Sequence, residues 1–353
     1  MELWLTLVAL YAWQCMASLP VQSAVFGPRW LGWSDLHRRG VLALSPWPST
    51  LGTIASRLPF QPSDDDGGLV LTGADALAAG DEIALDGLRV ETRGVRLVAN
   101  GRPFAKAASK AQARVWHHVV ASLAATSASQ RRAAWDRILA STLDGDALES
   151  RLEAARRATR WLAIVCDADL ITMFLLVPFV GLLFGSEYAL FVSGPTLGGL
   201  HLVALAFAFF AHRRLFPERR GERFEELFMA ALYPPALLRR PQAWVDAATA
   251  GFHPLAWVRV LADDDEGRRV WLRECAWLER RAERLPDQAA GLRAELEAIS
   301  RQAPAAWREG AARSRTDPMA ESYCPVCWDD FRTGYDRCAS CDAETVRYAS
   351  APG

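Results

Sequence analysis

Two apolar runs, Leu170–Gly185 and Tyr188–Ala211, stand almost back to back, with only Ser186-Glu187 between them. A helix needs roughly 20 mostly apolar residues to cross a hydrocarbon layer of about 30 Å. Counted from Trp161, the first run reaches that length, and Tyr188–Phe210 reaches it as well. Inside a bilayer no water satisfies an open amide or carbonyl, so runs of this kind must be helical. Residues 161–211 are therefore predicted to form a transmembrane helical hairpin that turns at Ser186-Glu187. The competing reading is a hairpin buried in a large soluble core.

Charge orients the hairpin. Arg151, Arg156, Arg157 and Arg160 precede the first run; Arg213, Arg214, Arg219, Arg220 and Arg223 follow the second. The connecting turn carries Glu187 and no basic residue. Basic residues stay on the cytoplasmic side, so both feet are expected inside and the turn outside. Trp161 sits where an interfacial anchor belongs.

Elsewhere the composition is uninformative about partners, because a formal net charge of -1 selects neither acidic nor basic ones. Lys106 and Lys110 are the only lysines, against an abundance of Arg, Ala and Leu. That bias suits a GC-rich bacterial genome and points to a bacterial cytoplasmic (inner) membrane.

Residues 1–27 read as an N-terminal membrane anchor. Its start carries Glu2 and no basic residue, and no clear cleavage site follows, so an uncleaved anchor fits better than a signal peptide. Arg29, His37, Arg38 and Arg39 place its far end in the cytoplasm and the N-terminus outside. An interfacial position for this segment is the alternative. Residues 28–68 form a membrane-proximal segment and linker. It holds Trp30, Trp33 and Trp47, then a Pro- and Gly-rich stretch around Asp64-Asp65-Asp66.

Within 69–160 the period changes. Ile83 and Leu85, Leu88 and Val90, and Val95 and Leu97 alternate, punctuated by Asp86-Gly87, Arg93-Gly94 and Asn100-Gly101. Such pairs tolerate positive φ and join antiparallel strands, so a small β-meander is expected, with Leu69–Leu71 as a candidate extra strand. Helices over Phe104–Ala125 and Gln130–Ala140, and one starting near Asp146, would cover it. His117-His118 invites a metal reading, but helical ligand pairs sit three or four apart and a packing role is favoured.

Two aspartates, Asp167 and Asp169, and His201 form a candidate intramembrane polar site, because ionisable groups at depth are costly and often functional. Interfacial, water-exposed aspartates are the simpler reading. Gly181-x-x-x-Gly185 and Gly194-x-x-x-Gly198 permit close helix approach, either within the hairpin or in a homo-oligomer. Pro195 suggests that the second membrane helix begins irregularly.

Residues 212–303 read as cytoplasmic amphipathic helices. Phe224, Leu227, Phe228 and Ala231 share a face before Tyr233-Pro234-Pro235. A heptad seam runs from Trp271 through Leu278, Leu285 and Leu292 to Ile299, interrupted by Pro286. Two helices packed within the chain are favoured over an oligomerising stalk. Residues 304–322 form a linker to the tail, 323–353.

The tail carries the one chemically specific motif. Cys324-Pro325-Val326-Cys327 and Cys338-Ala339-Ser340-Cys341 are separated by ten residues. Each Cys-x-x-Cys turn brings two sulfurs to one face, and two facing turns make a tetrahedral tetrathiolate. With every position filled by protein, the metal is structural. So short a unit has too little core to fold alone, so the metal would supply the folding energy. The non-metal alternatives are two disulfides, disfavoured in a reducing cytoplasm, and four free thiols; zinc is favoured over both, with a rubredoxin-like iron site as the other metal reading. Tyr323-Cys324-Pro325-x-Cys327, Tyr335 and Cys338-x-x-Cys341 resemble the short, rubredoxin-like zinc-ribbon tails that end many bacterial proteins. The resemblance covers Tyr323–Tyr348, with Trp328 and Asp342 where those ribbons commonly carry Gly. Asp329, Asp330, Asp336, Asp342 and Glu344 outnumber Arg332, Arg337 and Arg347, which disfavours nucleic acid and favours a protein partner.

The expected fold is thus an α-rich membrane protein. It has a small antiparallel β-meander (α+β) cytoplasmic domain, a transmembrane helical hairpin and a C-terminal zinc ribbon. The favoured function is a membrane-anchored interaction, scaffold or regulatory protein with structural Zn²⁺ and no organic cofactor. One alternative is an oligomeric transport or proton-relay protein using Asp167, Asp169 and His201. Another is an enzyme whose site lies in the cytoplasmic domains. No Gly-x-Ser-x-Gly, His-Glu-x-x-His or Gly-x-x-x-x-Gly-Lys-Ser/Thr motif occurs.

Overall fold

A computed structural model describes residues 58–63, 68–71, 82–107, 109–233, 235–262, 264–309, 317, 319–324, 329–332, 334–338 and 343–348. Residues 1–27, read above as an anchor, the tryptophans behind them and Asp64-Asp65-Asp66 lie outside the described residues, as do Cys327 and Cys341. The chain is mostly helical, with small antiparallel sheets. It divides into two compact units: one is Glu149–Thr249, and the other joins residues before it to residues after it. Helices 212–249 thus belong with the hairpin, while 250–309 belong with the sheets.

The alternating stretch forms two three-stranded sheets rather than one meander. In the first, β1 (Phe60–Pro62) pairs with β2 (Gly68–Leu71), which pairs with β3 (Glu82–Ala84). In the second, β4 (Val90–Arg93), β5 (Arg96–Ala99) and β6 (Arg102–Lys106) follow one another. Gly94 and Asn100-Gly101 adopt the positive φ that tight hairpin turns demand, at 66°, 47° and 84°. Gly87 also has positive φ, but Asp86-Gly87 separates the sheets instead of joining strands. β1 arises in the stretch read as linker; Pro62 is tolerated because it stands at the end of a sheet-edge strand.

Helix α1 (Lys110–Ala124) starts where the Ser109 hydroxyl accepts the Gln112 amide at 3.1 Å. Its buried face, Trp116, Val119, Val120 and Leu123, closes a core with Phe60, Leu69, Leu71, Leu85, Leu97 and Phe104. Trp135 from α2 (Ala128–Thr142) joins that core.

Helix α3 (Gly145–Ile171) starts the hairpin, which continues through a π-helical turn, Thr172–Leu176, into α4 (Val177–Phe184). Pro178 explains the turn: it has no amide for the carbonyl four residues back, and one widened turn absorbs the mismatch. Gly185 alone separates α4 from α5 (Ser186–Leu215). The turn is therefore Gly185, at φ 90°, and Ser186-Glu187 already belong to α5. Pro195 lies inside a continuous α5, contrary to the irregular start expected of it. The Gly181 backbone faces Ala189, whose β-carbon lies 3.6 Å from where a Gly181 β-carbon would stand. Small residues there let the two helices approach closely. Gly194 and Gly198 face open space instead.

Beyond Phe216, α6 (Arg220–Leu232) packs on α5, and α7 (Pro235–Thr249) packs on both. Trp161 stacks on Phe207 at 6.3 Å, and the Cys166 thiol lies 3.7 Å from the Leu237 carbonyl.

The chain then returns to the sheet unit through α8 (Pro254–Leu261), whose first turn is capped by the His253 ring. The heptad seam resolves into α9 (Asp264–Arg284) and α10 (Ala289–Gln302), which pack together across a 3₁₀ turn at Pro286–Gln288. Pro286 breaks the helix, and Leu278, Leu292 and Ile299 are buried within the chain. α11 (Ala305–Glu309) is short, and the tail adds β7 (Ser322–Tyr323), β8 (Asp330–Phe331) and β9 (Val346–Arg347), ordered β8-β7-β9.

Burial fixes the chemistry of the one cysteine in this seam. Its surroundings push the Cys275 thiol up to about 12, through desolvation first and the Glu279 carboxylate second. The neutral thiol is the form the fold favours. Its stabilising contribution is complete below the ordinary value of 9.0 and is lost as pH rises through the folded value. At pH 8 the thiolate fraction is about one in ten thousand. Iodoacetamide at that pH should leave Cys275 unlabelled in the folded protein and label it after denaturation, read by peptide mass. Rapid labelling of the folded form would contradict the packing.

Candidate metal centre

The tail is built from two copies of one small device. The Cys324 amide donates to the Asp329 carbonyl at 3.0 Å, and the Cys338 amide donates to the Ala343 carbonyl at 2.9 Å. Both bonds run from the first cysteine of a Cys-x-x-Cys pair to the residue five further on. Each loop is flanked by the same antiparallel pairing, Tyr323 with Asp330 and Arg337 with Glu344. The two knuckles are therefore closed alike, although Trp328 and Asp342 replace the glycines common in such turns.

Both described cysteines are buried, and they share one apolar cluster with Phe331 and Ala343. Burial of thiols beside one another, on equivalent loops, suits thiolate ligation of a soft or borderline cation. Cys327 and Cys341 would complete the set, and both lie outside the described residues.

Polar clasps hold the frame around the knuckles. Asp330 accepts the Tyr348 hydroxyl on one oxygen and the Asp317 amide, at 2.8 Å, on the other. The Tyr323 and Tyr348 rings pack with centroids 4.9 Å apart, and the Phe331 and Tyr335 rings 5.5 Å apart. Asp317 takes the Met319 amide at 2.9 Å and the Arg332 guanidinium at 3.0 Å. Those donors, Met319 first, hold its carboxyl below the ordinary carboxylate range. Its partners favour the charged form, so this clasp holds at neutral pH and loosens as acid protonates it.

The intramembrane candidates are not brought together. Asp167 is exposed and Asp169 half-buried on α3. The His201 ring lies against the Ala231 carbonyl of α6. Among the described residues, no hydrogen bond or ion pair joins His201 to either aspartate. On α1, His118 is exposed and the His117 ring contacts the Val90 carbonyl at 3.0 Å, which ties the helix to β4.

Among the buried polar groups that escaped the sequence reading are Arg131 and His253. The side chain of Arg131 is 2% exposed, and it bonds Asp86 and the Thr126 carbonyl. The His253 ring accepts the Leu255 amide at 3.2 Å and approaches Glu295 at 3.5 Å. Each partner stands far away in sequence or is a backbone atom, so no local pattern announces the pairing. Both serve as internal ties.

Comparison with family models, with curated proteins and with solved structures finds no match to this chain.

Proposed function

We propose that this chain is a membrane-anchored interaction protein of the bacterial inner membrane. A helical hairpin fixes it in the bilayer, and its cytoplasmic parts, including a structural zinc ribbon, engage another protein. The observation that carries the anchor is where the apolar surface points. Gly145–Phe184 and Glu187–Leu215 are long and apolar enough to cross a membrane. Only 22% and 6% of their most apolar windows are buried. A soluble core helix hides its apolar face. Here Leu182 is 86% exposed and Phe191 79%. That surface suits hydrocarbon, and the arginines at both feet favour the orientation with feet inside.

The ribbon reading is supported by the paired knuckles. Cys324, Cys327, Cys338 and Cys341 would hold Zn²⁺, which when bound supplies the folding energy the short tail lacks. The acidic surroundings of the motif favour a protein surface over nucleic acid as its partner.

Two measurements test the halves of this proposal. Alkaline phosphatase fused after Glu187 should be active outside the membrane, and the same reporter fused after Gly353 should be silent. An active reporter after Gly353 refutes the orientation. Affinity capture of the solubilised protein with and without residues 323–353 should recover a partner that depends on the tail. Identical recoveries would rule the tail out as the docking element.

A further inference from the structure

Helix α6 carries an apolar edge that the rest of the chain leaves uncovered. Its inner side is occupied: Ala230 is buried, Leu227 packs into the cluster formed with the hairpin, and Glu226 accepts the Trp244 ring N–H at 2.8 Å and pairs with Arg240 at 3.2 Å. Its outer side shows Phe224, Phe228 and Leu232, four residues apart and 74%, 54% and 67% exposed. The first two rings stack at 6.2 Å. Met229 and Tyr233 widen this edge towards the helix end.

Two contacts fix how α6 lies on α5. The Arg223 guanidinium sits 5.5 Å over the Phe209 ring, and the Ala231 carbonyl meets His201. As the number rises on α6 it falls on α5, so α6 runs back from the arginine-rich foot towards Gly185. From Arg223 to Ala231 the climb is about 12 Å at 1.5 Å per residue. One leaflet of hydrocarbon is about 15 Å deep. The uncovered edge therefore runs beside Leu202, Val203, Phe209 and Phe210 of α5, which are themselves exposed.

Charge follows the same gradient. The charged residues all stand at the foot: Glu218, Arg219, Arg220, Glu222, Arg223, Glu225 and Glu226 lie in or just before the first two turns of α6, close in sequence to Arg213 and Arg214 at the end of α5. No charged residue occurs between Glu226 and Arg239, a stretch that includes Tyr233-Pro234-Pro235. A helix with charged groups of both signs at one end and bare aromatic and aliphatic groups at the other suits the boundary between polar headgroups and acyl chains.

We infer that the α6 edge forms a wedge embedded in the cytoplasmic leaflet, with acyl chains as its partner. This extends the hairpin reading and rests on it. The segment is then part of the anchor, not of the cytoplasmic helices.

The test uses the full chain in vesicles of phosphatidylethanolamine and phosphatidylglycerol. The photoreactive residue p-benzoylphenylalanine replaces Phe228 or Leu232, with Leu182 and Phe191 as hairpin references and the exposed Arg137 as the polar reference. After irradiation, lipid adducts at 228 and 232 should exceed those at 137 by about tenfold or more, as burial among acyl chains requires. Adducts at 182 and 191 but not at 228 and 232 overturn the wedge and leave the hairpin standing. Chain-to-chain crosslinks at 228 in place of lipid adducts also overturn it, in favour of a second copy. Absence of lipid adducts at 182 and 191 as well refutes the membrane reading and the wedge together.

Discussion

Replacing Cys327 by Ser is expected to strip the metal from the tail and unfold it while leaving the chain in the membrane. Metal analysis of the parent should give about one zinc per chain, as a tetrathiolate site requires. The variant should fall to background. Structural zinc contributes on the order of 10 kcal/mol to small ribbons, far more than the few buried side chains of this tail can replace. Trypsin should then cut at Arg332 and Arg337 soon after addition. Cys338→Ser should behave the same way, because the two loops are closed by equivalent bonds and, on the zinc proposal, each would supply half of the ligands. A variant that keeps full zinc, or a parent that holds iron, would remove the zinc reading. Loss of membrane insertion in the variant would contradict the independence of tail and anchor.

The second large effect is expected in the sheet unit. Trp116 is fully buried where α1 meets both sheets. Trp116→Ala should cost about 3–5 kcal/mol through lost transfer energy and an incompletely collapsed cavity. For a unit of this size the melting temperature should fall by roughly 10 °C. Hydrogen exchange resolved along the chain should quicken over β4–β6 and α1 and remain unchanged in α4 and α5. An unaltered exchange pattern over the strands would mean that Trp116 is not the centre of this core.

These two sites differ in how much of them could be read from residue order. The hairpin was visible because hydropathy and length are properties of a run. Its turn was misplaced by a residue because Ser186 and Glu187 look more like a turn than Gly185 does. The backbone needed one residue at positive φ, and Gly185 meets that need at no steric cost. The tight turns at Gly94 and Asn100-Gly101 were legible for the same local reason. Asp86-Gly87 looked identical and did something else, because whether a turn closes a hairpin depends on what the flanking strands find to pair with. β1 was hidden by Pro62 at its end and Pro59 just before it.

The partner of the α6 face was left open for a related cause. Phe224, Leu227, Phe228 and Ala231 do lie on one broad side, but α5 covers only part of it. Periodicity reports that a stripe is apolar and leaves its partner open. In the tail, four cysteines at regular spacing prompted the proposal of a metal site. The matched hydrogen bonds to Asp329 and Ala343 could not be anticipated, since backbone pairing leaves no mark on composition.

Gly185 carries one more consequence. With a single residue closing the bend between α4 and α5, the hairpin presents almost no polypeptide on the side where it reverses. In the proposed orientation, an extracellular factor would find no loop there to hold. Whatever instructs this pair of helices must reach them through their flanks in the lipid or from the compartment that receives the arginines.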